Sequence, residues 1–161
     1  MKRMSTKTVG RRLAAAAVAS ALAWAILVSG NSAAAAGPSV VTLNLVHFSK
    51  IVHGPAGDYV GVSPGSVRVH VGDPIVFAND DAGHHTATLI ATAAREFPAN
   101  PRFTDAALKY SGSIGDAQWS TGDIAPGHRS AALIAKKPGT YLYGCFFDYS
   151  AGMRGVIVVE P

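Results

Sequence analysis

Within nine residues near the end of the chain lie a thiol, a carboxylate and a thioether: Cys145-Phe-Phe-Asp148-Tyr-Ser-Ala-Gly-Met153. Cys145 is the single cysteine of the protein. The apolar run Tyr141-Leu-Tyr precedes it and Val156-Ile-Val-Val follows it, so the segment reads as strand, short loop, strand. Sixty residues upstream of the cysteine stands His84-His85-Thr86. One thiolate, one imidazole and one weak axial thioether are donors of a mononuclear copper electron-transfer site. A loop this short can fold Cys145 and Met153 onto one metal, with the imidazole arriving from elsewhere in the chain.

The elements that must hold these residues read as short strands. Ser39–Phe48, Ser66–His70, Ile75–Ala78, Thr86–Ile90, Ala131–Ala135, Thr140–Cys145 and Gly155–Glu160 are β-prone, and several are bounded by Gly, Pro or Asp turns. That pattern predicts an all-β sandwich or barrel. Residues 91–118 depart from it. Ala91–Phe97 and Thr104–Tyr110 read as short helical pieces broken by Pro98 and Pro101, a helical insertion between sheet strands.

The order of these segments resembles the cupredoxins, the family of plastocyanin, pseudoazurin and amicyanin. The resemblance runs from Ser66-Val-Arg-Val-His-Val-Gly-Asp-Pro-Ile-Val-Phe-Ala-Asn79, through His85-Thr86 and Gly127-His-Arg-Ser, to Pro138-Gly-Thr-Tyr-Leu-Tyr-Gly-Cys145 and Gly152-Met-Arg-Gly-Val-Ile-Val-Val159. It implies a Greek-key β-sandwich of about eight strands, with copper bound at one end. The upstream ligand carries over onto His85, the thiolate onto Cys145 and the axial thioether onto Met153. The family's loop places a second histidine three residues after the cysteine. Here that position is Asp148, although the loop length is kept.

Asp148 is open to three readings. It is a ligand; or it is a solvated loop residue, and His84 or His128 completes the site; or the site holds no metal. Neighbouring residues on a strand face opposite ways, so only one of His84 and His85 faces a metal, and the motif favours His85. As a ligand, a carboxylate is harder than imidazole and favours Cu(II) over Cu(I). A set of His85, Cys145, Asp148 and Met153 also suits tetrahedral zinc. The leading expectation is a copper-binding single-electron carrier that is not an enzyme, since no nucleophile–base pair or carboxylate dyad stands out. The rival is a copper or zinc carrier or sensor, or a metal-free sandwich. Phe146, Phe147 and Tyr149 beside Asp148 suggest an apolar patch for a transient redox partner, on a protein that is itself monomeric.

The first 36 residues read as a secretory signal. Lys2, Arg3, Lys7, Arg11 and Arg12 precede an apolar run, Leu13–Val28, and a small-residue stretch ending at Ala36. The run is shorter than the ~20 residues of a spanning helix, although an uncleaved anchor is the alternative. The remaining domain, 37–161, has nine basic and ten acidic residues, so the high pI of the whole chain belongs to the leader and gives no ground for nucleic-acid binding. An exported domain with one cysteine has no internal disulfide, which leaves the thiol free for metal. Export to the periplasm or the medium, with cleavage after Ala36, predicts a mature protein that begins at Gly37. Mass spectrometry of the exported product tests this, and a product that keeps Leu13–Val28 and pellets with membranes would instead show an anchor.

Overall fold

The computed structural model describes residues 37–161; the leader expected over 1–36 lies outside the described residues. The described residues form twelve strands: β1 (Ser39–Leu43), β2 (Val52–Gly54), β3 (Gly57–Tyr59), β4 (Val62–Ser63), β5 (Ser66–His70), β6 (Pro74–Asn79), β7 (Thr88–Thr92), β8 (Tyr110–Ser111), β9 (Ser120–Thr121), β10 (Leu133–Ile134), β11 (Gly139–Gly144) and β12 (Arg154–Glu160). One sheet has the order β10-β6-β1-β4 and the other β5-β12-β11-β7-β9-β8, while β2 and β3 pair apart from both. The count exceeds the eight expected because six strands are only two or three residues long. The all-β sandwich itself is as expected. Among the described residues no helix is long and apolar enough to cross a membrane.

Alternation of side chains builds the space between the sheets. Along β5, Val67 and Val69 are buried while Ser66, Arg68 and His70 are exposed; along β6, Ile75 and Phe77 are fully buried. These join Val41, Leu43, Leu133, Tyr141, Tyr143, Ile157 and Val159 in one core cluster drawn from both sheets. Strands β11 and β12 lie inside the larger sheet and are covered on both faces. Leu142 and Val156 point away from that core and pack in a second cluster with Ala56, Ile90 and Phe97. That is why the sequence there is nearly continuous apolar residues rather than an alternation.

The helical reading of 91–118 holds only as a single 3-10 turn, Asp105–Leu108. Ala91 is instead the last part of β7, paired with Leu142 of β11, and the chain then bends at Ala93 with φ of 55°. The amide of Phe97 donates to the carbonyl of Ala56 at 2.9 Å, fastening this stretch to the outside of the larger sheet. Sheet pairing and that cover outweigh the helix propensity of the alanines, and Pro98 and Pro101 deny a helix its next turn.

Phe77 sits at the centre of this packing, fully buried and edge-on to Tyr143 with ring centroids 5.2 Å apart. Phe77→Ala is expected to lower the unfolding free energy by about 3–5 kcal/mol, as for other buried aromatic truncations, measured by denaturant titration.

Candidate metal centre

Four strand ends meet at one end of the sandwich. The segment from Asp80 to Ala87 joins β6 to β7, and residues 145–153 join β11 to β12. The first segment is held by a two-way backbone bridge: the amide of His85 donates to the carbonyl of Ile124 at 3.2 Å, and that of Ile124 donates back at 2.8 Å. This bridge turns His85 inward, with its side chain 2 % exposed, and His84 outward, at 53 %. The ring of His84 lies 2.9 Å from the carboxylate of Asp123, away from the buried group. His128 is exposed and donates from Nδ1 to the carbonyl of Pro126 at 2.9 Å.

The second segment is closed on itself. The amide of Cys145 donates to the carbonyl of Met153 at 3.0 Å, and the amide of Met153 donates to the carbonyl of Asp148 at 3.2 Å. Between them Tyr149–Ala151 makes a 3-10 turn, ended by Gly152 with φ of 97°, a conformation that favours glycine. Gly144 is constrained for another reason: a Cβ there would strike the ring of Tyr149, which folds back over the strand end. The closed loop keeps Cys145 and Met153 inside, each 1 % exposed, within the core cluster.

Three donor atoms converge in this pocket. Nδ1 of His85 is 3.0 Å from Oδ2 of Asp148, Sγ of Cys145 is 3.4 Å from the same oxygen, and Sγ is 3.8 Å from Nδ1. A circle through the three atoms has a radius of about 2.0 Å, comparable to the ~2.0–2.3 Å bonds that nitrogen, oxygen and thiolate sulfur make to zinc. A triangle of one nitrogen, one sulfur and one oxygen, two of them able to carry negative charge, therefore fits a divalent or monovalent transition-metal ion. Among the described residues these three form the only such group of His, Cys, Asp and Glu. His84 and His128 are outside it.

The surroundings order these atoms. The amide of Thr86 points at Sγ of Cys145, 3.4 Å away, and the Thr86 hydroxyl accepts the amide of Phe146 at 2.9 Å, stitching the two segments together. Phe103, Phe146, Phe147 and Tyr149 stack edge to face over the loop, with centroids 5.2–5.9 Å apart. Asp81, which sequence reasoning passed over, brings Oδ2 to 3.2 Å from Nε2 of His85. Burial alone would raise the Asp81 carboxyl, but the amides of Leu45 and Ala82 and the His85 ring together hold it below the usual value. The only advance signal for it was its place in the polar turn Asn79-Asp-Asp-Ala-Gly83 just before the histidine pair.

The fold is a two-sheet β-sandwich, and along the chain the imidazole comes first, then the thiol and the carboxylate at the start of the last inter-strand loop. The chain is similar to a reduced Cu(I) form of an amicyanin variant, with 17% identity, a TM-score of 0.45 and coverage of 77% of this chain and 83% of that one. It is also similar to a purple cupredoxin from Nitrosopumilus maritimus, with 15% identity, a TM-score of 0.47 and coverage of 76% and 99%. No protein-family model matches the chain, and no curated protein does.

Burial pushes the Cys145 thiol up to about 11, against the amides of Thr86, Asp148 and Phe147, which favour the thiolate; the Asp148 carboxylate adds to the rise. The folded protein thus holds this proton more tightly than an unfolded chain does. The stability that goes with it is intact below the ordinary thiol range and is lost as pH climbs from there toward the folded value. In metal-free protein the reaction of Cys145 with a thiol reagent is therefore expected to keep accelerating, about tenfold per pH unit, well past the ~8.5 of a free cysteine. A rate that levels off near that ordinary value would show that burial does not govern the thiol.

Proposed function

We propose that the protein binds one copper ion through His85, Cys145, Asp148 and Met153 and carries single electrons, as an exported, monomeric protein of the cupredoxin type. The observation that supports this is the convergence of Nδ1, Sγ and Oδ2 at bonding separation in a buried pocket. When bound, copper supplies a one-electron cycle between Cu(II) and Cu(I). Cys145 contributes a soft anionic donor, His85 a neutral nitrogen and Asp148 a hard anionic oxygen, while Met153 stands as the weak fourth contact. The near-complete burial of His85, Cys145 and Met153 excludes water from three of the four. An electron carrier does no bond chemistry on a substrate, and no enzymatic reaction is assigned.

Asp148 is the ligand that reaches the surface, at 27 % exposure. Beside it lies a shallow depression of about 410 Å³ lined by Leu45, Val46, His84 and Phe147 among others. Val46 and Phe147 are exposed apolar residues on its rim. A small apolar rim next to the redox-active group suits a partner that docks briefly and leaves, since electron-transfer contacts bury little surface.

A second reading is favoured by Asp148 itself. A carboxylate oxygen in place of an imidazole weakens the preference for Cu(I), and an N,S,O set also accepts Zn(II). On that reading the protein carries or senses copper or zinc without shuttling electrons. Spectra and voltammetry separate the two. Cupric protein with an intense sulfur-to-copper band and reversible reduction supports the carrier of electrons; a colourless protein that prefers Zn(II) supports the alternative.

Cys145→Ser is expected to abolish the visible charge-transfer band, because no other thiolate exists in the chain. An unchanged spectrum in that variant would put the metal elsewhere. Asp148→Ala should weaken binding tenfold or more, whereas a role for His84 or His128 as the fourth donor predicts little change. Asp148→His should raise the reduction potential and strengthen Cu(I) binding, since a nitrogen replaces a hard anionic oxygen within a loop of unchanged length.

A further inference from the structure

We propose that Asp81 is the positioning residue of His85: its carboxylate takes the Nε2–H of the ring, so that Nδ1 turns its lone pair toward Cys145 and Asp148. The inference rests on the reading of this pocket as a metal site, and goes beyond it by assigning the side chain that fixes the ring. An imidazole has two nitrogens, and the hydrogen bond made by one decides which tautomer is presented by the other.

The geometry supports this from three sides. First, the ring is bracketed. Nε2 faces Oδ2 of Asp81 at 3.2 Å, and Nδ1 faces Oδ2 of Asp148 at 3.0 Å and Sγ of Cys145 at 3.8 Å. Two carboxylates cannot both be served by the one N–H of a neutral ring. The nitrogen that faces two potential metal donors is the one freed for metal, and the nitrogen that faces Asp81 alone keeps the proton.

Second, Asp81 is fixed before the ring reaches it. Its Oδ2 accepts the amide of Leu45 at 2.7 Å and its Oδ1 accepts the amide of Ala82 at 2.7 Å. Its own amide donates to Oδ1 of Asn79 at 2.9 Å. Asn79, 2 % exposed, spends its side-chain NH₂ on the carbonyls of Gly83 and Ile124, both at 2.8 Å. Ile124 is the backbone partner of His85. One chain of hydrogen bonds thus runs from the bridge that orients the His85 backbone to the carboxylate that orients its ring. Third, Asp81 is only 11 % exposed, so water competes poorly for the same nitrogen. Asp148, in contrast, sits on the loop at 27 % and is within reach of the thiol.

The test uses the full domain as purified, loaded with Cu(I), which is diamagnetic. Nitrogen-15 NMR of the ring in the parent protein should show a slowly exchanging Nε2–H and a metal-bound Nδ1 on His85. Asp81→Asn keeps the size of the side chain and removes the charge. It should weaken Cu(I) binding, measured against a chromophoric chelator, by about 10–100-fold, the usual loss when the partner of a metal-bound histidine is changed. It should also make the Nε2–H exchange faster. If Asp81→Asn does not fold, Asp81→Glu, which keeps the charge and displaces it, is read by the same two measurements with the same expected direction. A spectrum with metal on Nε2 and the proton on Nδ1, or an affinity within twofold of the parent, would overturn the proposal while leaving the metal site standing. If the parent protein binds Zn(II) but not Cu(I), the same two measurements are made on the Zn(II) protein with the same expected directions; failure to bind either ion would overturn the metal reading and this inference together.

Discussion

The antiparallel ladder between β11 and β12 is the constraint on which the candidate centre depends. Six residue pairs, from Gly139 opposite Val159 to Gly144 opposite Arg154, set the two strands in register. Once that register holds, the nine residues between them have little freedom. Cys145 and Met153 are brought side by side, and the carbonyl of Met153 closes the ring on the amide of Cys145. Because β11 also pairs with β7 on its other edge, the start of β7 comes to the same end of the sheet. His85 therefore approaches the cysteine across two strands, a contact between residues sixty apart that no local interaction would create.

The centre is a polar cluster set at the edge of an apolar core, and its stability as an arrangement comes from pairing. Buried polar groups are costly unless they are hydrogen-bonded, and nearly every one here is. Asn79 satisfies three bonds, Thr86 links both segments, and the carboxylate of Asp81 is capped by two amides. Burial opposes the charged form of the thiol. A cation among the three donors would reverse that balance, since a metal favours the thiolate over the thiol. Metal binding and proton release are coupled in such a site by its construction.

Replacing the expected histidine with Asp148 changes the character of the exposed side of the site more than its shape. The loop keeps its length and its closing hydrogen bonds, and the side chain still points to the other two donors. What changes is charge: an anionic oxygen stands where a neutral nitrogen was expected, in contact with solvent and beside Phe147 and His84. The aromatic residues around it are not idle surface. Phe103 stacks edge-on against both Phe146 and Tyr149, and Phe147 is the ring that faces outward.

Much of this was legible in the residues because it depends on local pattern. Strand alternation in β5 and β6, the apolar runs of β11 and β12, the loop spacing from Cys145 to Met153 and the lone cysteine all follow from sequence, since period and spacing act over a few residues. The extra short strands and the fate of Ala91–Phe97 did not, because a local preference for helix was overridden by pairing with β11. The sequence could place His84 and His85 on opposite faces but could not orient them by itself. The backbone bridge to Ile124, a residue nearly forty positions away, decides that His85 is the one turned inward. The position of Asp148's carboxylate against His85, and the approach of Asp81 from the other side of the ring, were likewise set only by tertiary structure. Each is a meeting of side chains from separate strand ends, and only the register of the sheets brings those ends together.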